Sequence, residues 1–258
     1  MDFQLAGKTA LVTGSTAGIG LAIATALASD GARVVVNGRT QQRVDQAIER
    51  SGAAHGIAAD LGTEAGARAV IEKFPELDIL VNNLGIFEPK AFEEIPDDDW
   101  RRFFEVNVLS GVRLSRHYIG PMKRKNWGRI VFISSESALQ IPAEMIHYGM
   151  TKTAQLAVSR GLAETTAGTA VTVNAVLPGP TASEGVADFV ESLARERGAG
   201  RREVEAEFFR TMRPTSLLKR FATPEELAAV VAFVCSPRAS AINGAAVRAD
   251  GGVVRAIA

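Results

Sequence analysis

Short runs of apolar, often β-branched residues alternate along the chain with longer stretches whose apolar positions recur every three to four residues. The short runs are Thr9–Val12, Arg33–Val36, Gly56–Ala59, Asp78–Val81, Ile130–Ser134, Val171–Val176 and a last one near Ala245–Val247. Each is short enough for a strand and apolar at consecutive positions, as expected where both faces of a sheet are covered. The intervening stretches, Ile19–Ser29, Thr40–Arg50, Thr63–Lys73, Asp97–Met122, Tyr148–Glu164 and Pro224–Cys235, read as helices. Thr40, Asp97 and Thr223 stand at N-cap positions, the last followed by Pro224. Strand and helix alternation with right-handed crossovers predicts an α/β fold: a doubly wound, mostly parallel sheet of seven strands with helices on both faces, in one domain spanning 1–258.

The rhythm fails once. Residues 181–215 carry no clear strand, only charged helical stretches over Glu184–Arg197 and Arg202–Arg210. An insertion after the sixth strand lies at the carboxyl edge of the sheet, where such folds bind ligands, so a substrate lid is expected there.

Composition narrows the partners. Lys plus Arg and Asp plus Glu balance at 29 each among 258 residues, which gives no reason to expect nucleic acid. A single cysteine, Cys235, within an apolar run suits a reducing compartment and reads as a small buried hydrophobe. The start lacks a basic segment followed by an apolar one, and no apolar run is long enough for a bilayer. A cytoplasmic protein without membrane contact, acting on a small molecule, is the expectation.

Three places carry chemistry. Between the first strand and helix lies Thr13-Gly14-Ser15-Thr16-Ala17-Gly18-Ile19-Gly20, a glycine turn that lets backbone approach a pyrophosphate at a helix N-terminus. Its G-x-x-x-G-x-G spacing departs from the general dinucleotide fingerprint. The second strand ends in Asn37-Gly38-Arg39 where an acid would bind a ribose hydroxyl. Arg39 offers a planar fork for a 2′-phosphate instead, which favours NADP over NAD and leaves NAD as the alternative. Third, Ser135 follows the fifth strand, and Tyr148 and Lys152 lie one helical turn apart on one face. A cation beside a phenol favours its ionised form, and a serine hydroxyl can hold a substrate oxygen against it, so the trio can move a proton on or off an alcohol or carbonyl oxygen. His147 points away from the atom Tyr148 faces. His55 and His117 have no metal-ligand spacing around them, Asp97-Asp98-Asp99 complements a helix dipole, and no metal site is expected.

Gly14, Gly18 and Gly20 in TGSTAGIG, Asn82-Asn83-Leu84-Gly85, Asn107, Ser135, Tyr148-Gly149-Met150-Thr151-Lys152 and Pro178-Gly179 together resemble the short-chain dehydrogenase/reductase family, from about residue 5 to Gly252. The resemblance implies a Rossmann-type fold and an NAD(P)-dependent enzyme acting on CH–OH and C=O groups. Tyr148 would be the acid/base, Lys152 would hold the nicotinamide ribose and lower the Tyr148 pKa, and Ser135 would orient the reacting oxygen. Asn107 would hold a water relaying protons from Lys152. The cofactor would contact Gly14, Ser15, Thr16, Gly18, Ile19, Gly20, Arg39, Asp60, Leu61, Asn83, Gly85, Pro178, Gly179 and Thr181 besides Tyr148 and Lys152. The family's usual alanine is replaced by Leu84, expected to fill the core, and Ser15 and Thr16 supply no basic residue in the glycine turn. Relatives commonly assemble as homotetramers, which implies a homotetramer or homodimer here.

Gln140, Ile141 and Met145, with Leu139, Pro142, Phe87, Phe189, Phe208, Phe209 and Met212, are expected to line an apolar substrate pocket. No arginine fork stands beside the tyrosine in sequence, although Arg210 or Arg213 could swing in. A ketone or a 3-oxoacyl thioester is the expected substrate, with an NAD-dependent sugar, polyol or steroid dehydrogenase as the alternative. A catalytically silent dinucleotide-binding regulator is the remaining reading, opposed by the intact Ser135, Tyr148 and Lys152.

Overall fold

The computed structural model describes residues 2–184, 186, 191, 194, 195 and 200–257. Period-two alternation builds the sheet and explains why its strands are apolar throughout. In β1 (Thr9–Val12), Ala10 and Val12 face one core and Leu11 the other; in β2 (Arg33–Gly38), Val34 and Val36 oppose Val35 in the same way. The pattern repeats in β4 (Ile79–Asn82) and β5 (Gly128–Ile133), where Val131 and Ile133 face the first core and Ile130 and Phe132 the second. Each fully buried aliphatic or aromatic side chain stabilises by about 1.5–3 kcal/mol, so both faces are fixed strongly.

With β3 (His55–Ala58), β6 (Val171–Pro178) and β7 (Ala246–Ala249), the strands run in the order β3-β2-β1-β4-β5-β6-β7, and every pairing is parallel. The order reverses between β1 and β4, the crevice where a doubly wound sheet takes its ligand. Helices α1 (Gly18–Ser29) and α8 (Pro224–Cys235) supply the first core and α3 (Glu64–Lys73), α5 (Ser110–Lys125) and α6 (Ile146–Glu164) the second. Cys235 is buried in the first core, and burial pushes its thiol up to about 12.

Thr63 and Thr223 cap α3 and α8, the latter in a reciprocal capping box with Glu226. Thr40 precedes α2 (Gln41–Ser51) without a side-chain cap bond, and Pro96, not Asp97, is the N-cap of α4 (Asp97–Phe104). The helix expected over Asp97–Met122 is three pieces: α4, a π-helical turn over Glu105–Leu109, and α5. In the charged insertion, α7 (Arg201–Thr211) forms as expected. The other expected stretch, 184–197, falls mostly on residues outside those described, as does Phe189.

Candidate active site

The glycine turn is held open by polar side chains on its flanks. Gly14 and Gly18 have φ of 60° and 53°, left-handed values that favour glycine. A Cβ on Gly20 would lie 2.5 Å from Asn83 Nδ2 and 2.6 Å from Gly14 O, so the turn closes only over glycine. Asn37 accepts from Gly14 N at 3.2 Å and donates to Ile57 O and Ala59 O, tying the turn to β3. Asn83 donates to the carbonyls of Thr13 and Gly14 at 2.9 and 3.1 Å. Ser15, expected on the cofactor, uses its hydroxyl within the sheet instead. It donates to Val12 O at 2.7 Å and accepts from Asn37 N at 2.9 Å, with no exposure. Ala17 at the α1 N-cap supplies no side-chain acceptor, and the first turn contains no acid. The N–H groups at this helix end therefore suit an anion, and the turn fits a dinucleotide pyrophosphate.

Arg39 is exposed at the end of β2 and makes no hydrogen bond or ion pair among the described residues. Beside it, Thr16 Cγ2 would lie 2.4 Å from a Cβ on Gly38, so Thr16 closes over the strand end. Asp60 turns the chain towards α3 by accepting from Gly62 N. Leu61 is 1% exposed within the second core, which leaves only its backbone to meet a cofactor. Leu84 packs on that same core, as expected.

A cavity of about 590 Å³ opens across the carboxyl ends of β4, β5 and β6, with Ile19, Asn83, Gly85, Ser135, Tyr148, Lys152, Pro178, Gly179 and Thr181 in its wall. The buried β5 strand carries Ser135 to its rim, and α6 presents Tyr148 and Lys152 one turn apart, with Lys152 Nζ 5.6 Å from the phenol ring centre. Burial pushes the Tyr148 phenol above its ordinary value, and the Glu136 carboxylate adds to this. A hydrogen bond with Ser135 and the Arg213 guanidinium oppose the shift without reversing it. Lys152 was expected to lower this pKa; here the groups that lower it are Ser135 and Arg213, and Lys152 Nζ donates to Ile133 O at 2.9 Å. Burial brings Lys152 itself down to about 8.

Asn107 sits in the π-helical turn, a device that reorients a single helical residue. Its Oδ1 accepts from Ile86 N at 2.8 Å, and its Nδ2 donates to Ile86 O and to Thr151 Oγ1, each at 3.0 Å. It clamps the segment after β4 to α6. A Cβ on Gly85 would stand 3.3 Å from Lys152 Nζ and 3.5 Å from Asn107 Oδ1, so the missing side chain leaves a gap between them.

The pocket wall differs from expectation. Met145, Phe87, Phe208 and Met212 line the cavity, but Gln140, Ile141 and Leu139 are exposed, and Ile141 packs over Gly149. Phe209 is 2% exposed and meets Phe208 and Phe221 edge to face. The place expected for Gln140 and Ile141 is taken by Glu136, Ser137 and Glu144. Arg213 does swing in: its Nε donates to Glu136 Oε1 at 3.0 Å and its Nη1 to Glu144 Oε1 at 3.1 Å. Glu136 Oε2 in turn accepts from Ser135 Oγ at 2.5 Å. The sequence signals for this network were an acid directly after Ser135 and an arginine in the insertion able to swing in; their pairing was not foreseen.

Beside Tyr148, His147 is fully buried against Phe103, with ring centroids 4.0 Å apart, and is not in the wall of this cavity. Among the described residues no cluster could hold a metal ion, and no helix is long and apolar enough to cross a membrane.

A family model for short chain dehydrogenase matches residues 8–194. An uncharacterized oxidoreductase of Bacillus subtilis, YvaG, is 52% identical, with all of both chains covered. The 3-oxoacyl-[acyl-carrier-protein] reductase of Aquifex aeolicus is 34% identical over 98% of this chain and 100% of its own. The crystal structure of L-sorbose reductase from Gluconobacter frateurii, complexed with NADPH and L-sorbose, superposes with a TM-score of 0.92 at 32% identity, covering 100% of each chain.

Proposed function

We propose that this chain, which belongs to the short-chain dehydrogenase/reductase family and is an NAD(P)-dependent oxidoreductase, uses NADP(H) to interconvert a ketone and a secondary alcohol. The observation that carries this reading is Tyr148 beside Ser135 and Lys152 in a crevice that faces the glycine turn. Bound there, the cofactor supplies or accepts hydride at its nicotinamide.

The residues do the rest. Tyr148 donates its phenolic proton to the carbonyl oxygen as the alcohol forms, a role suited to a phenol kept neutral by burial. Ser135 Oγ holds that oxygen by a hydrogen bond. Lys152 Nζ turns from Ile133 O to the ribose hydroxyls and supplies a cation beside the phenol. Proton transfer of this kind is worth about 10²–10⁴-fold. A water in the gap by Gly85 links Lys152 to Asn107. Phe208 and Met212, from the 181–215 insertion, give the pocket an apolar roof, which supports its reading as a lid.

Arg39 supports NADP over NAD, since a free guanidinium at the end of β2 matches a phosphate in planar geometry. The NADPH held by the L-sorbose reductase structure supports the same preference. A panel of ketones assayed with NADPH and NADH, followed by nicotinamide absorbance, tests the reading. Turnover with NADPH is expected, and Arg39→Ala is expected to raise KM for NADPH by about tenfold or more while leaving NADH nearly unchanged. Equal effects on both cofactors would defeat the NADP assignment.

A further inference from the structure

The acid after Ser135 is placed to read the substrate. Glu136 is 5% exposed, yet it borders the cavity, and both its oxygens have partners. Arg213 Nε occupies Oε1 at 3.0 Å, and Ser135 Oγ donates to Oε2 at 2.5 Å. Ser135 Oγ also accepts from Ser137 N at 3.1 Å. The serine has one proton, and in this arrangement it goes to the carboxylate.

To hold a carbonyl oxygen, Ser135 must take that proton off Glu136. A plain ketone offers only a neutral acceptor in exchange, and hydrogen bonds to a charged acceptor are about twice as strong. The exchange balances if the substrate brings a donor of its own. A hydroxyl on the carbon next to the carbonyl does this, because its oxygen and the carbonyl oxygen then face two groups that are themselves 2.5 Å apart. The substrate O–H donates to Glu136 Oε2, and Ser135 O–H turns to the carbonyl.

We propose that Glu136 is a substrate-binding residue that selects α-hydroxy ketones, and the vicinal diols they form, by accepting a hydrogen bond from the hydroxyl beside the reacting carbon. This rests on the carbonyl-reductase reading above. Hydride from NADPH goes to the carbonyl carbon and the Tyr148 proton to its oxygen; the products are a vicinal diol and NADP⁺, and the neighbouring hydroxyl is unchanged. Arg213 is the positioning residue for the carboxylate. With its Nε on Glu136 and its Nη1 on Glu144 and on Met212 O, it is committed to the protein, so a carboxylate substrate meets two acids here in place of a cationic clamp.

Matched pairs test this: acetoin against butanone and hydroxyacetone against acetone, with NADPH, and ethyl acetoacetate as a carbonyl without the adjacent hydroxyl. The hydroxylated member of each pair is expected to have kcat/KM higher by about 10- to 100-fold, the reach of one hydrogen bond to a charged group. Glu136→Gln is expected to bring the ratio close to one, with its NADPH Kd, read by fluorescence quenching, held. Glu136→Asp, which keeps the charge but withdraws it, is expected to fall between; it and the wild-type ratio decide the matter if the Gln variant does not fold. A wild-type ratio near one, or an undiminished ratio in the Gln variant, overturns the proposal. Reduction of ethyl acetoacetate without reduction of the hydroxy ketones overturns it while leaving the carbonyl-reductase reading intact. NADPH oxidation with none of these carbonyls would overturn both.

Discussion

Arg213 reaches Glu136 across 77 residues of sequence, Nε to Oε1 at 3.0 Å, and joins the insertion to the rim of β5. The pair is nearly dry, with side chains 10% and 6% exposed. Removing one member of such a pair leaves an uncompensated charge, so Arg213→Leu should destabilise by about 3–5 kcal/mol. Glu144→Gln, at the wetter end of the network, should cost about 0–1 kcal/mol. Urea denaturation of both variants checks the contrast; equal losses would show that the Glu136 arm is not the anchor.

His147 should set part of the acid limb of stability. It is fully buried, and neither ring nitrogen has a hydrogen-bond partner among the described residues. Burial lowers its pKa; Asp99 and Glu88 oppose this, while Lys90 and Arg102 reinforce it. Below the ordinary value of 6.5 the unfolded chain therefore takes up this proton before the folded one does, and stability is lost as pH falls. His147→Leu should flatten the melting temperature against pH on the acid side. At neutral pH it should be at least as stable, since an unpaired buried polar group costs about 1–3 kcal/mol. An unchanged acid slope would contradict the assignment.

Lys152 should mark the alkaline side of the rate profile. Burial brings it to about 8, whereas the Tyr148 phenol stays above its ordinary value. Above pH 8 the ammonium is lost first, and with it the cation proposed to hold the ribose. The kcat/KM for reduction should then fall with a break near 8, since this parameter reports the free enzyme. Lys152→Arg, which stays charged, should shift the break upward out of range. A profile flat through this region would rule the lysine out.

Much of this was legible because the forces behind it are local or periodic. The β1, β4 and β5 runs announce a covered sheet, and the glycine turn and the Tyr148–Lys152 spacing follow from sequence neighbours alone. The errors have physical causes too. Asp97–Met122 keeps a helical pattern throughout, and a single π-turn around Asn107 leaves no mark on such a pattern. Ser15 reads as a cofactor contact until the third dimension brings Asn37 N to its hydroxyl. Gln140 and Ile141 were placed in the pocket by proximity to Ser135, but the chain turns them outward and Glu136 faces in. That acid was visible and Arg213 was named as able to swing in; what was not visible is that the two pair across 77 residues, which makes the burial of Glu136 tolerable.

In the proposed mechanism Tyr148 passes the proton while the cofactor passes hydride. The most direct measurement is turnover of NADPH with a reducible ketone by wild type and Tyr148→Phe, alongside NADPH binding by fluorescence. The Phe variant should lose about 10²–10⁴-fold or more in kcat while its NADPH affinity changes little. Turnover within a few-fold of wild type would contradict the account.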